Sequence, residues 1–142
     1  MGRLIQTDST GTERQRLRRT IAEALHLLMA KRELDDEVRD LAALIALALR
    51  EIAAGVERSA GVWDKRHYYI KADRLRADWE WSQRSADRLT HLIRAGDWAR
   101  LPVVLAELAP RFADIRVGKL TRSPRLWSGA YRKLLEESGR PQ

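Results

Sequence analysis

The sequence predicts an all-α protein, a compact bundle of four to five helices whose long second and third helices run antiparallel. Three observations carry that expectation. Ala and Leu dominate and β-branched residues rarely alternate with polar ones, so strand patterning is nearly absent. Apolar residues recur instead at helical spacing, and Gly and Pro fall mostly between the periodic stretches. The 142 residues suffice for one domain spanning 1–142 with a core of its own, and Cys is absent, so neither a disulfide framework nor a thiolate nucleophile enters.

The stretch "MGRLIQTDSTG", residues 1–11, reads as a polar leader. A first helix is expected from about Thr12 to Ala30, capped by Thr10 or Thr12, with Leu17, Ile21, Ala24, Leu25 and Leu28 facing inward. The second helix begins near Leu34, where "LDDEVRD" places acids at the positive end of the helix dipole. Its stripe of Val38, Leu41, Ile45, Ala48, Ile52, Gly55 and Ser59, widened by Leu44 and Leu47, is apolar over most of the circumference. Such a helix is surrounded by other elements, and this one is expected at the centre with its end near Gly61.

The third helix contains "WDKRHYYIKADRLRADWEW" and runs to Ala95, with Gly96 as the left-handed residue that stops it. Projection at helical spacing separates two faces. Tyr68, Ala72, Leu75, Trp79, Ser82, Ala86, Leu89 and Ile93 form a seam expected in the core. Trp63, Ile70, Arg74, Ala77, Trp81, Arg88 and Leu92 form a second stripe on the opposite side. That stripe is either covered by the fifth helix or the leader, with arginine stems along it, or is a contact surface for a partner helix, a second copy or nucleic acid. A fourth helix follows Asp97 and turns Leu101, Val104, Leu105, Leu108 and Phe112 inward, with Pro102 and Pro110 disturbing its ends. A fifth is expected to start at Ser123 as cap with Pro124 in its first position, carrying Trp127, Tyr131 and Leu134 or Leu135. Residues 139–142 read as a tail.

Charge is distributed unevenly. Of 27 basic residues 22 are Arg; residues 1–32 hold 7 bases against 3 acids and residues 111–142 hold 8 against 3, whereas the middle holds 12 against 14. A fold that brings the chain ends together would therefore create one positive surface. The Arg bias and the scarcity of heat-labile residues also suit a hot environment, although a GC-rich genome yields the same bias. No signal-peptide pattern appears at the start, and "LAALIALAL" is too short to span a bilayer, so a cytoplasmic protein with no membrane partner is expected.

Chemistry-bearing patterns are sparse. Glu23 with His26 and Asp64 with His67 have the i, i+3 spacing of metal-binding bundles, but Glu23 and His26 lie off the inward stripe, and no metal or cofactor is expected. The acids Glu33, Asp35, Asp36, Glu37 and Asp40 are explained by the helix start. Arg19 with His26 and Arg84 with His91 resemble, in spacing alone, the arginine and histidine of HEPN ribonucleases, and a spacing that loose arises about as often by chance. The strongest constellation is "IRVGKLTRSPRLW", in which Arg116, Lys119, Arg122 and Arg125 recur every three residues and Ser123 opens a helix, ingredients for holding a phosphate. The resulting expectation is a small non-enzymatic protein binding nucleic acid or another polyanion through Arg116, Lys119, Arg122, Ser123 and Arg125. The alternatives are a self-association or partner-helix module using Ile70, Arg74, Ala77, Trp81, Arg88 and Leu92, and a HEPN-like or metal-dependent hydrolase.

Overall fold

Asp35 starts the helix around which the others pack. In the computed structural model its carboxylate accepts the amide of Val38 at 2.8 Å, opening α2 (Asp36–Lys65). The structure describes residues 2–138, with side chains from Thr10 to Glu137; the 139–142 tail lies outside the described residues. The remaining helices are α1 (Gly2–Met29), α3 (Tyr69–Ala95), α4 (Leu101–Leu108) and α5 (Ala130–Ser138), and no strand occurs among the described residues. α2 packs against α1, α3 and α5, so its apolar circumference is covered as expected: Leu41, Ile45, Leu49 and Ile52 are sealed from water. α1 lies antiparallel to it, with Thr10 beside Gly55 at one end and Leu25 and Leu28 near Val38 at the other.

Several helix boundaries differ from expectation. α1 begins at Gly2 rather than near Thr12, so most of the expected leader is helical and Gly11 lies inside the helix. α2 continues through Gly61, whose position has open space around it and needs no missing side chain. The chain turns six residues later. The amide of His67 donates to Asp64 O and that of Tyr68 to Trp63 O, at 3.0 and 2.9 Å, with His67 in the left-handed region at φ 65°. The end of α3 repeats this pattern: Gly96 at φ 67° donates to Ile93 O and Asp97 to Leu92 O. One motif is thus built once with Gly, as the sequence suggests, and once with His. Since a side chain in that region costs about 1–2 kcal/mol, partly offset by the greater chain entropy of Gly, His67→Gly is expected to raise stability by about 0.5–1 kcal/mol. The check is a thermal midpoint higher by roughly 1–4 °C; a lowered midpoint would show that the His67 side chain compensates for its backbone.

α3 is buried on two sides. Against α2 it sets Ala72, Ser82, Ala86, Leu89 and Ile93, with Leu75 and Trp79 half-buried, but Tyr68 is exposed and does not belong to the core. On the other side Trp81, 8% exposed, meets Phe112 edge-on at 5.8 Å and carries the Arg111 guanidinium over its ring at 4.9 Å. The cover of Trp81 is therefore the segment that follows α3, neither the fifth helix nor the leader. That segment is a 3-10 turn Trp98–Arg100, α4, and a second 3-10 turn Ala109–Phe112, with Leu101, Val104, Leu108 and Phe112 buried. Pro102 and Pro110 stand at the starts of the latter two pieces, where a missing amide proton costs little. Arg14 stacks on Trp79 at 5.2 Å and Arg18 on Phe112 at 5.5 Å, so arginines of α1 finish the packing over these rings.

The second stripe of α3 is thereby divided. Trp81 and Leu92 are core residues and cannot form a docking face. Ile70, Arg74 and Ala77 are exposed, and Arg88 is ion-paired with Glu107 of α4. The fifth helix also starts later than Ser123: Ser123 precedes a single 3-10 turn, Pro124–Leu126, without a side-chain capping hydrogen bond, and α5 opens at Ala130.

Candidate functional site

Glu23 organises the surface on which the two ends of the chain meet. It stands in "TIAEALHLL" of α1, beside the inward stripe, and its side chain is only 1% exposed. Its Oε2 accepts Arg19 Nε at 2.7 Å and Thr121 Oγ1 at 2.5 Å, while its Oε1 accepts the amides of Thr121 and Arg122 at 2.8 and 3.0 Å. Burial opposes the charge, but the hydrogen bonds from Thr121, Arg19 and the amides of Arg122 and Thr121 outweigh it and hold the carboxyl at about 2, below its ordinary 4.5. The expectation that Glu23 lies off the inner face is corrected. His26, its i+3 neighbour, is exposed, and the two are not a ligand pair.

Arg19 extends the anchorage. Beyond Glu23 its guanidinium donates to the carbonyl oxygens of Arg116 at 3.0 Å and Lys119 at 2.6 Å. Arg18 makes a bidentate pair with Asp114, at 3.0 and 2.7 Å, and reaches Arg111 O at 2.8 Å. From the loop side, Arg122 donates to Thr20 Oγ1, Arg16 O and Thr121 Oγ1 at 3.1, 3.0 and 2.8 Å. The loop is thus fixed by groups nearly 100 positions apart, Glu23 and Thr121 being 98 residues distant.

These contacts sort the expected anion ligands. Arg122 is a structural anchor, folded back on α1, and Arg18 is consumed by Asp114. Arg116, Lys119 and Arg125 are exposed, and the first two contribute only carbonyl groups to the anchorage. Exposed Arg16 joins them, a residue the segment-by-segment reading did not include. The helix N-terminus expected to bind phosphate is already occupied. Asp40 of α2 accepts the amides of Gly129 and Tyr131 at 3.2 and 3.0 Å, filling that role for α5 from within the molecule. Ser123 takes no part.

Asp35, Asp36 and Glu37 at the α2 start are likewise engaged, Asp36 by Arg39 at 3.1 Å. Lys31 reaches Asp35 and Glu37 at 3.0 and 2.6 Å, and Glu37 accepts the indole N–H of Trp127 at 3.2 Å. No group of three acids, histidines or cysteines suited to a metal occurs among the described residues. Of the HEPN-like pairs, Arg19 is spent on Glu23 and the loop with His26 exposed, and Arg84 pairs with Glu80 with His91 exposed. A separate apolar cleft of about 620 Å³ lies between the end of α1 and α4, lined by Leu25, Leu28, Leu34, Trp98 and Leu105. No helix among the described residues is long and apolar enough to cross a membrane. Neither a family model, a curated protein nor a solved structure matches the chain.

Proposed function

We propose that the protein is a small non-enzymatic binding protein that holds nucleic acid or another polyanion on the surface formed by α1 and the loop before α5. One observation carries this reading: residues 16–23 and 111–125, joined by the Glu23 anchorage, hold eight cations against two carboxylates, a balance of +6. Both carboxylates are already matched, Glu23 by Arg19 and Asp114 by Arg18. The excess therefore acts outward, from a loop whose backbone is held in place before any ligand arrives, which lowers the ordering cost of binding.

The test removes the exposed cations and spares the anchors. Arg116→Ala, Lys119→Ala and Arg125→Ala together leave every hydrogen bond to Glu23 and Arg19 in place. The triple variant should bind generic duplex DNA or RNA at least about tenfold more weakly at roughly 50 mM salt. Its plot of log affinity against log salt should flatten by about 2–3. A wild-type protein that shifts no nucleic acid at that salt, or a triple variant with the same affinity and salt slope, would refute the reading.

A further inference from the structure

The end of the α2–α3 hairpin carries a second basic surface, and this one is aromatic. Tyr68, Tyr69 and Ile70 follow one another around the turn and are 57, 54 and 78% exposed. Exposed Lys71 and Arg74 line the same depression, Lys71 with its ammonium over the Trp63 ring at 4.8 Å, and exposed Lys65 and Arg66 precede the turn; the acids Glu57, Asp64 and Asp73 share Arg76, at 2.9, 2.7 and 3.5 Å. With Arg76 counted, five cations at this end stand against these three carboxylates, a balance of +2. The turn's backbone is pinned by the paired hydrogen bonds of His67 and Tyr68, and the Tyr69 hydroxyl lies 2.8 Å from His67 Nδ1 with the two rings edge-on at 5.7 Å. An open depression of about 560 Å³ runs along His67, Tyr68, Tyr69, Ile70, Lys71 and Arg74.

We infer that this hairpin end is a stacking platform for single-stranded nucleic acid. The inference rests on the polyanion reading above and names the strand class. Tyr68 and Tyr69 have about half their surface in water, and a base stacks along an exposed ring most readily when it is out of a duplex stack. Lys71 and Arg74, which line the same depression, supply phosphate contacts at that place, with Lys65 and Arg66 just before the turn. An acidic peptide would satisfy the cations but gives the ring faces no planar partner; a duplex would satisfy the cations and leave the tyrosines idle.

Fluorescence anisotropy with a labelled oligo-dT of about 20 nucleotides, and with a duplex of equal length, separates these outcomes. Tyr68→Ala with Tyr69→Ala is expected to weaken single-strand binding roughly fivefold or more and to leave duplex binding unchanged. Tyr68→Phe with Tyr69→Phe should retain wild-type single-strand affinity, since the ring faces remain. Both residues are exposed, so neither variant should fail to fold. Unchanged single-strand affinity in the alanine variant, with binding still lost in Arg116→Ala/Lys119→Ala/Arg125→Ala, overturns the platform and leaves the proposed function standing. Loss at the tyrosines with no effect of the loop triple keeps the platform and removes the loop surface. Binding to phosphatidylserine vesicles that is lost in the alanine variant, with oligonucleotide affinity unchanged, overturns the inference in favour of a lipid surface.

Discussion

Glu23→Gln is expected to lower the unfolding free energy by about 3 kcal/mol at neutral pH, the cost of removing one partner from a buried charged network. The amide keeps the size of the carboxyl but not its chemistry. All four groups around the carboxylate donate to it, from Arg19, from the Thr121 hydroxyl and from the amides of Thr121 and Arg122. A carboxamide offers one acceptor oxygen and turns its NH₂ toward two of those donors. The pH dependence has a definite sign. The folded carboxyl titrates near 2 and the unfolded one near 4.5, a gap worth about 3 kcal/mol. A folded value below the unfolded one means that the stabilisation is complete above about 4.5 and is lost as pH falls from there toward 2. Urea denaturation should therefore show wild type well above Glu23→Gln at pH 7 and the difference shrinking across that acidic window. Equal midpoints at pH 7 would mean that the loop is held without Glu23.

Trp81→Ala should cost about 3–5 kcal/mol, the range for truncating a buried aromatic whose site cannot collapse. Trp81 is 8% exposed and lies between Trp79 at 5.7 Å and Phe112 at 5.8 Å, with Arg111 over its face. Its removal leaves a void beneath the Ala109–Phe112 turn and deprives three neighbours of contacts at once. Ile70→Ala supplies the contrast. Ile70 belongs to the same helical stripe but is 78% exposed, so its truncation should change stability by less than about 0.5 kcal/mol. A double-mutant cycle between Trp81→Ala and Phe112→Ala should return a coupling of about 0.5–1.5 kcal/mol. Trp81→Ala unfolding at the wild-type midpoint would contradict the packing described for α3 against α4.

The contrast between Trp81 and Ile70 marks where reading along the chain succeeds and where it stops. Periodicity places both on one stripe of α3, correctly, because successive positions on a helix are related by geometry alone. What lies opposite each position is another matter. Trp81 faces the segment that follows α3, whereas Ile70 is at the hairpin end with nothing packed over it. The turn itself shows the same division. Gly61 is the residue that sequence reasoning selects for a break, yet the helix passes through it, and His67 adopts the left-handed conformation six residues on. The reversal at His67 is completed by hydrogen bonds to Trp63 and Asp64, and no glycine marks it.

The candidate surface divides in a comparable way. The charge excess at both chain ends is plain in the residue order, and so is the clustering of Arg116, Lys119, Arg122 and Arg125. Which of these cations face water is not. Arg122 is spent on Arg16 and Thr20, Asp40 occupies the helix end where a phosphate was expected, and Glu23 emerges as the anchor of the loop. Glu23 left one faint trace in the sequence, an acid among apolar neighbours with Arg19 four residues before it. Helix identity, the central position of α2 and the basic bias of the ends follow from the residue order, since spacing and composition are properties of neighbours along the chain. The availability of each charge and aromatic ring follows from folding alone, because a buried carboxylate, an occupied helix end or a covered indole depends on a partner distant along the chain, 98 residues away for Glu23 and Thr121.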